Sequence, residues 1–196
     1  LGYRIKLLAI TKIDNGKIEA RVHPTMIPEG HLLSTVEGVF NAIYIQGDAV
    51  GPTLFYGQGA GQMPTGSAVV SDLVELGRNI LIQAHGRRVP LLSYQESAIE
   101  KIPLKKMDDV VVPFYMRFSA LDRPRVLSKI SGILGKNNIS ISAVIQKGRQ
   151  VNGAVPIVMM THEAREESVH KALKEIDRLH AILGKTMVIR VENELE

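Results

Sequence analysis

Asp122-Arg123-Pro124-Arg125-Val126-Leu127 stands between a run with the period of a strand and a run with the period of a helix, and its reading decides the fold of the second half of the chain. Upstream, from Val112 to Ala120, Phe114, Met116 and Phe118 fall on one face and Tyr115, Arg117 and Ser119 on the other, as in a half-buried strand. Downstream, Val126, Leu127, Ile130, Ile133 and Leu134 recur at three- and four-residue spacing, which predicts a helix with one buried stripe. Asp122 is the expected N-cap, and Pro124 suits a first helical turn, where a missing amide hydrogen costs nothing. A strand that runs straight into a helix aims several unpaired N–H groups at one spot, which suits a carboxylate. The same residues also serve simply to end a strand and start a helix, with nothing bound.

The pattern then repeats. Ile139 to Ile145 alternates, Lys147 to Gly153 is polar, and Ala154 to Met160 reads as the return strand of a hairpin. From Glu166 to Leu183, Val169, Leu173, Ile176, Leu179 and Ile182 keep helical spacing, with Gly184 as the expected C-cap and Met187 to Val191 as a closing strand. Strand, helix, strand, strand, helix, strand is the split βαβ, ferredoxin-like order.

With that order, the Asp122 to Leu127 turn, Asn137-Asn138-Ile139-Ser140-Ile141 and Gln146, residues 112–193 resemble an ACT domain. ACT domains are regulatory modules that usually pair side by side and bind an amino acid between them. The resemblance implies an effector site at Asp122, Arg125, Val126, Leu127, Asn138, Ile139 and Gln146. The family usually has glycine where Arg125 stands. A long cation there either blocks the pocket or binds the ligand carboxylate itself.

At 196 residues and 45% hydrophobic content, the chain has material for one good core or two small ones, and the pattern favours two. No apolar run approaches the roughly 20 residues needed to cross a bilayer, so no membrane association is expected. Cysteine is absent, which excludes disulfides and thiolate metal sites and fits a cytoplasmic setting. The net charge of +4 comes from scattered basic residues with few aromatics between them, which argues against nucleic acid as a partner.

The first 83 residues read as a second half: a strand over residues 3–13, the turn Asp14-Asn15-Gly16, a partner strand from Lys17 to Met26, and a short helix at Leu32 to Glu37. Ala42 to Ile45 and Thr53 to Tyr56 are further strands around Gly47-Asp48-Ala49-Val50-Gly51. The glycine-rich stretch Gly57 to Gly66 precedes a helix expected from about Ser67 to Gln83, an arrangement that can cradle a phosphate or cofactor and is as often only a tight connection. Residues 84–111 are charged, without sustained periodicity, and are expected to be a linker with a short ordered stretch at Ile99 to Leu104. Because Leu1 opens directly into an apolar strand, the chain is expected to be a piece of a longer polypeptide.

Tyr3 to Ala9, Glu19 to Thr25, Val39 to Ile43, Gly47 to Gly51 and Phe55 to Thr65, taken in order, resemble the latter half of the substrate domain of homoserine dehydrogenases, whose bacterial members also carry an ACT-like tail. The resemblance implies an α+β fold in which a partial mixed-sheet substrate domain, residues 1–83, precedes a linker, residues 84–111, and a ferredoxin-like ACT domain, residues 112–196. It also implies a parent oxidoreductase that interconverts L-aspartate 4-semialdehyde and L-homoserine with NAD or NADP. The nicotinamide end of the cofactor would approach Gly61, with Gly59 and Ala60 beside it. The catalytic lysine and carboxylates of such enzymes, and their dinucleotide-binding domain, precede the matched part, so no catalytic residue is assigned here and this chain alone is expected to be inactive.

Other polar residues carry less. His23 lacks a second ligand at metal spacing and reads as a structural or solvent-facing histidine. Asp48 suits a turn, Asp72 and Glu75 an early helical turn, and Lys171, Lys174, Arg178, Glu167 and Glu175 a solvated helix face. Two other readings stand beside the enzyme fragment: a stand-alone amino-acid-binding regulatory protein, and an oligomerisation fragment in which Arg125 fills the effector pocket. All three expect a homodimer or homotetramer, because sheet edges are left unpaired.

Overall fold

Asn15 and Gly16, both at positive φ (49° and 72°), close a two-residue turn whose twist suits a hairpin. Strands β1 (Tyr3–Asp14) and β2 (Lys17–Pro28) therefore pair antiparallel along their whole length, from Tyr3↔Pro28 to Asp14↔Lys17. The computed structural model describes residues 1–83, 94, 96–146, 148 and 153–193. They fall into two compact units, Leu1–Ser34 with Ile102–Leu195, and Thr35–Lys101.

In the second of these units β3 (Phe40–Gly47) and β4 (Gly51–Gln58) form a hairpin, with Phe40 stacked on Tyr56. Helix α1 (Gln62–Leu81) follows and has no buried residue. It starts five residues before the expected Ser67, because Pro64 falls in the first turn, where it needs no donor, and Gly61 supplies the N-cap. Asp72 and Glu75 thus lie in mid-helix, beyond the reach of its dipole.

In the first unit β5 (Val111–Val112), β6 (Phe114–Leu121), α2 (Val126–Lys136), β7 (Ile141–Gln146), β8 (Ala154–Thr161), β9 (Ala164–Arg165), α3 (Glu166–Ile176) and β10 (Met187–Val191) follow in order. The main sheet has the order β1-β2-β10-β6-β8-β7. Its last four strands are the ferredoxin-like arrangement, and the fold class is α+β with a mixed sheet. Phe114, Met116, Phe118 and Ala120 of β6, all at most 1% exposed, pack beneath Val126, Ile130 and Leu134 of α2 and Val169, Ala172 and Ile176 of α3.

Helix α3 ends at Ile176, seven residues before the expected Leu183. Leu179 and Ile182 keep helical spacing, yet Ile182 bridges Ala120, the Leu121 amide donates to the Ala181 carbonyl and the Leu183 amide to the Ser119 carbonyl. Pairing with β6 outweighs the local period there. The Asp177 carboxylate, accepting from the Thr186 amide and hydroxyl, holds the chain as it leaves the helix.

The compact units do not part at the boundaries expected near residues 83 and 111. Residues 1–34 join the ACT-like sheet because β10 pairs in parallel with β2 at Arg190↔Thr25 and Val191↔Met26. The latter part of the expected linker also belongs to this unit: the Ile18 amide donates to Pro103, the Lys105 amide to Ile18, and Val110 is fully buried. Residues 84–93, and residues 147 and 149–152 of the expected polar turn, lie outside the described residues.

A buried ionic cluster ties this sheet together. Glu19, Arg21, His23 and Thr25 alternate along one face of β2, and all are buried. Arg21, with its side chain 1% exposed, donates to Glu19 at 2.8 Å and to Glu192, which also accepts from Lys12 at 2.7 Å. The carboxylates of Asp14 and Glu19 hold the Lys105 ammonium above its ordinary pKa. Removing one member of a buried pair leaves an uncompensated charge. Arg21→Ala is therefore expected to lower stability by about 3 kcal/mol or more in chemical denaturation, and a loss below about 1 kcal/mol would mean that water already solvates the cluster.

Candidate functional site

At the end of β6 the backbone turns sharply. The Asp122 amide donates to the Gly153 carbonyl at 3.2 Å and the Arg123 amide to Leu121 at 2.9 Å. The N-cap of α2 is Arg125, and not Asp122 as expected; Arg125 sits in the left-handed region at φ 72°, with no side-chain cap. Pro124 fixes its own φ before the helix, so the chain must make its bend at the next residue. That conformation accounts for glycine at this position in ACT domains, since a side chain there costs on the order of 1–2 kcal/mol. The Arg125 side chain is exposed, Val126 is buried in the core and Leu127 is 40% exposed.

Asn138 and Ile139 sit at the other end of α2. Asn138, at φ 58°, donates its amide to Gly135, and the Ile139 amide reaches back to Leu134, the paired bonds of a helix C-terminus closed by a left-handed residue. Ile139 and Leu134 are both in the core. At 1.5 Å per residue, α2 holds the two groups about 16 Å apart. Gln146, exposed and paired with Ile157, lies toward the Asp122 end of the sheet. Within one chain, Asp122, Arg125, Val126, Leu127 and Gln146 are thus at one end, and Asn138 and Ile139 at the other.

The Gly59-Ala60-Gly61 loop lies exposed between β4 and the N-terminus of α1. Gly61 has φ 133°, open to glycine alone, and its carbonyl accepts from the Thr65 amide at 3.0 Å. A Cβ at Gly59 would lie 2.5 Å from Asn41 Nδ2. Both glycines have conformational or packing reasons of their own, and the loop leaves the first amides of α1 without a side-chain cap. Backbone approach by a ligand fits such a loop.

His23 is buried and structural. Arg21 Nη1 lies 3.2 Å from its Nε2, so that nitrogen accepts, and Nδ1 carries the proton toward the Pro24 carbonyl at 3.1 Å. Among the described residues no His, Cys, Asp or Glu cluster could hold a metal ion, and no helix is long and apolar enough to cross a membrane. The sequence reading missed the buried charges of β2. Their signal was the alternation Glu19, Arg21, His23, Thr25, which assigns all four to one face; polar residues in such a pattern are ordinarily read as the solvent face.

Two outcomes follow from this geometry. Arg125→Gly is expected to raise stability by about 0.5–1 kcal/mol, the relief of the left-handed strain less the extra freedom of unfolded glycine; a thermal melt showing destabilisation would disprove the strain. Burial, aided by the nearby Arg190 and Arg21 guanidiniums, lowers the His23 pKa below its ordinary 6.5. The resulting stability is fully present above about pH 6.5 and is lost as the pH falls through the lowered folded-state value. His31, lowered by its own burial, acts in the same direction. His23→Gln should therefore shrink, without abolishing, the drop in Tm between about pH 7 and pH 5, and an unchanged drop would rule His23 out as a contributor.

The homoserine dehydrogenase family profile matches residues 1–74 and the ACT domain profile residues 114–181. The homoserine dehydrogenase of Neisseria gonorrhoeae is 41% identical over 194 residues, covering 98% of this chain and 44% of the relative. That of Helicobacter pylori is 42% identical, again over 98% of this chain and 44% of the relative. The crystal structure of a homoserine dehydrogenase from Thiobacillus denitrificans superposes with a TM-score of 0.86 at 45% identity, over 98% of this chain and 43% of that one. The S. aureus homoserine dehydrogenase at pH 6.0 superposes at 0.59 with 29% identity, over 99% and 43%. This chain thus spans under half the length of the relatives it matches. With both segments present in order and the fold matched almost end to end, the chain joins a homoserine dehydrogenase family segment to an ACT domain.

Proposed function

We propose that this chain is the C-terminal portion of a threonine-regulated homoserine dehydrogenase. The parent enzyme interconverts L-aspartate 4-semialdehyde and L-homoserine, on the route to threonine, methionine and isoleucine. The support is the succession, in one chain, of a segment matching that enzyme family and an ACT domain. In this reading residues 1–83 end the substrate domain, 84–111 connect and 112–196 regulate, and these segments mark descent, whereas the compact units mark packing. The exposed apolar stripe of α1, with Leu73, Leu76 and Ile80 each more than half exposed, fits a domain whose remaining part lies in the longer relatives.

Gly59, Ala60 and Gly61 would approach the nicotinamide end of NAD or NADP, which when bound supplies or accepts the hydride. This chain's residues contribute only a close backbone surface there. The grip on pyrophosphate and ribose belongs to a dinucleotide-binding domain, so the chain alone is inactive.

The effector reading rests on the free edge of the sheet. β7 ends the strand order, and among the described residues no strand pairs with its outer side. A two-fold pairing of β7 edges runs the strands antiparallel and sets the Asp122 end of one copy against the Asn138 end of the other. The two groups that one chain holds apart would meet in the dimer and enclose an amino acid, its carboxylate toward the open amides at the start of α2. Calorimetric titration with L-threonine, against L-serine and L-methionine, tests this: saturable threonine binding that disappears in Asp122→Ala is expected, and no heat with any amino acid would overturn it.

A further inference from the structure

We propose that the cavity between α3 and β10 is a second ligand site, for a small organic monocarboxylate with an apolar body. The cavity measures about 660 Å³, within the range of small-molecule sites. It opens beside Phe114, at the start of β6, whereas Asp122 follows the far end of that strand, roughly 23 Å away at about 3.3 Å per residue. The site is therefore independent of the effector reading.

Its floor is apolar, made by Phe114 and Val169, each 1% exposed, with Leu173 and Val188 packed against the same core. Its polar wall is held in place. Glu166, 2% exposed, accepts from Arg190 Nε at 2.8 Å and Nη2 at 2.5 Å, lies 3.2 Å from His170, and has its amide tied to the Val110 carbonyl. Asp177 is taken up by the Thr186 amide and hydroxyl.

Both carboxylates in the wall are thus engaged, and neither lies within ion-pair reach of the lysines at the mouth. Lys174 on α3 and Lys185 before β10 are exposed and make no ion pair among the described residues. The lining sets the formal charges of Lys174, Lys185 and Arg190 against those of Glu166 and Asp177, a surplus of one positive charge. A single carboxylate balances that surplus, and an apolar body covers Leu173 and Val188, the partly exposed apolar side chains of the lining. A phosphate ion would satisfy the lysines and leave those two side chains facing water.

The test is a titration of the ¹⁵N-labelled chain with benzoate, benzyl alcohol and inorganic phosphate at millimolar concentration, read on the backbone amides of Val169 to Asp177 and Lys185 to Arg190. Benzoate should shift these amides saturably, benzyl alcohol should bind about tenfold more weakly, and phosphate should produce no localised shift. The double variant Lys174→Met, Lys185→Met, altered at exposed positions and so expected to stay folded, should weaken benzoate about tenfold and leave benzyl alcohol unchanged. Asp122→Ala should bind benzoate as the parent chain does, which separates this site from the effector site. The proposal is overturned by the absence of saturable shifts, by equal responses to benzoate and benzyl alcohol, by phosphate shifting the same amides as strongly, or by indifference to the double variant.

Discussion

The first unit depends on a short parallel junction, two residues of β10 against two of β2, and on the buried charges that lie across it. Arg21 belongs to the N-terminal hairpin and Glu192 to the end of the ACT-like segment, 171 positions later. Their contact, under cover and braced by Glu19 and Lys12, makes one six-stranded sheet out of two parts of the sequence. Buried ion pairs seldom add much net stability over a hydrophobic alternative, yet they penalise every wrong register, because each slip would strand a charge in the interior. The cluster thus specifies where the hairpin docks more than how tightly it does so. His23 and Thr25 continue the same face toward Arg190, whose own partner, Glu166, caps the wall of the α3 cavity.

Two residues with side chains occupy left-handed backbone around α2. Arg125 begins the helix and Asn138 closes it. Asn is well suited to that conformation, and its role as a C-terminal cap accounts for its presence without any ligand. Arg125 is not so suited; its carbonyl accepts from the Lys129 amide, but its side chain makes no hydrogen bond among the described residues to offset the strain. The backbone of Arg125 is therefore locally strained, with its side chain exposed at the start of α2. Gly59 and Gly61 likewise have local reasons to be glycine, in the packing against Asn41 and in a φ of 133°.

The ferredoxin-like half was legible because its elements are short, regular and separated by clear turns. Phe114, Met116 and Phe118 announced a one-sided strand, and Met187 to Val191 coincides with β10. The end of α3 was not legible. Leu179 and Ile182 fit a helix as well as they fit the bridge to Ala120 that they serve, and only the neighbouring strand distinguishes the two. The start of α1 was misplaced for a related reason: Pro64 and Gly66 read as loop residues, whereas the first turn of a helix tolerates proline and a 20-residue helix absorbs Gly66 as it does Gly77.

By itself the sequence determined what is local and periodic: which stretches become strands and helices, where the Asn15-Gly16 turn reverses the chain, and which segments carry family motifs. Tertiary structure decided what depends on distant partners. It joined residues 1–34 to the ACT-like sheet, made an apparently solvent-facing row of Glu19, Arg21 and His23 into a buried one, and hollowed the space between α3 and β10. Periodicity reports which face a side chain lies on but not what will cover that face, since covering is settled by residues far away in sequence.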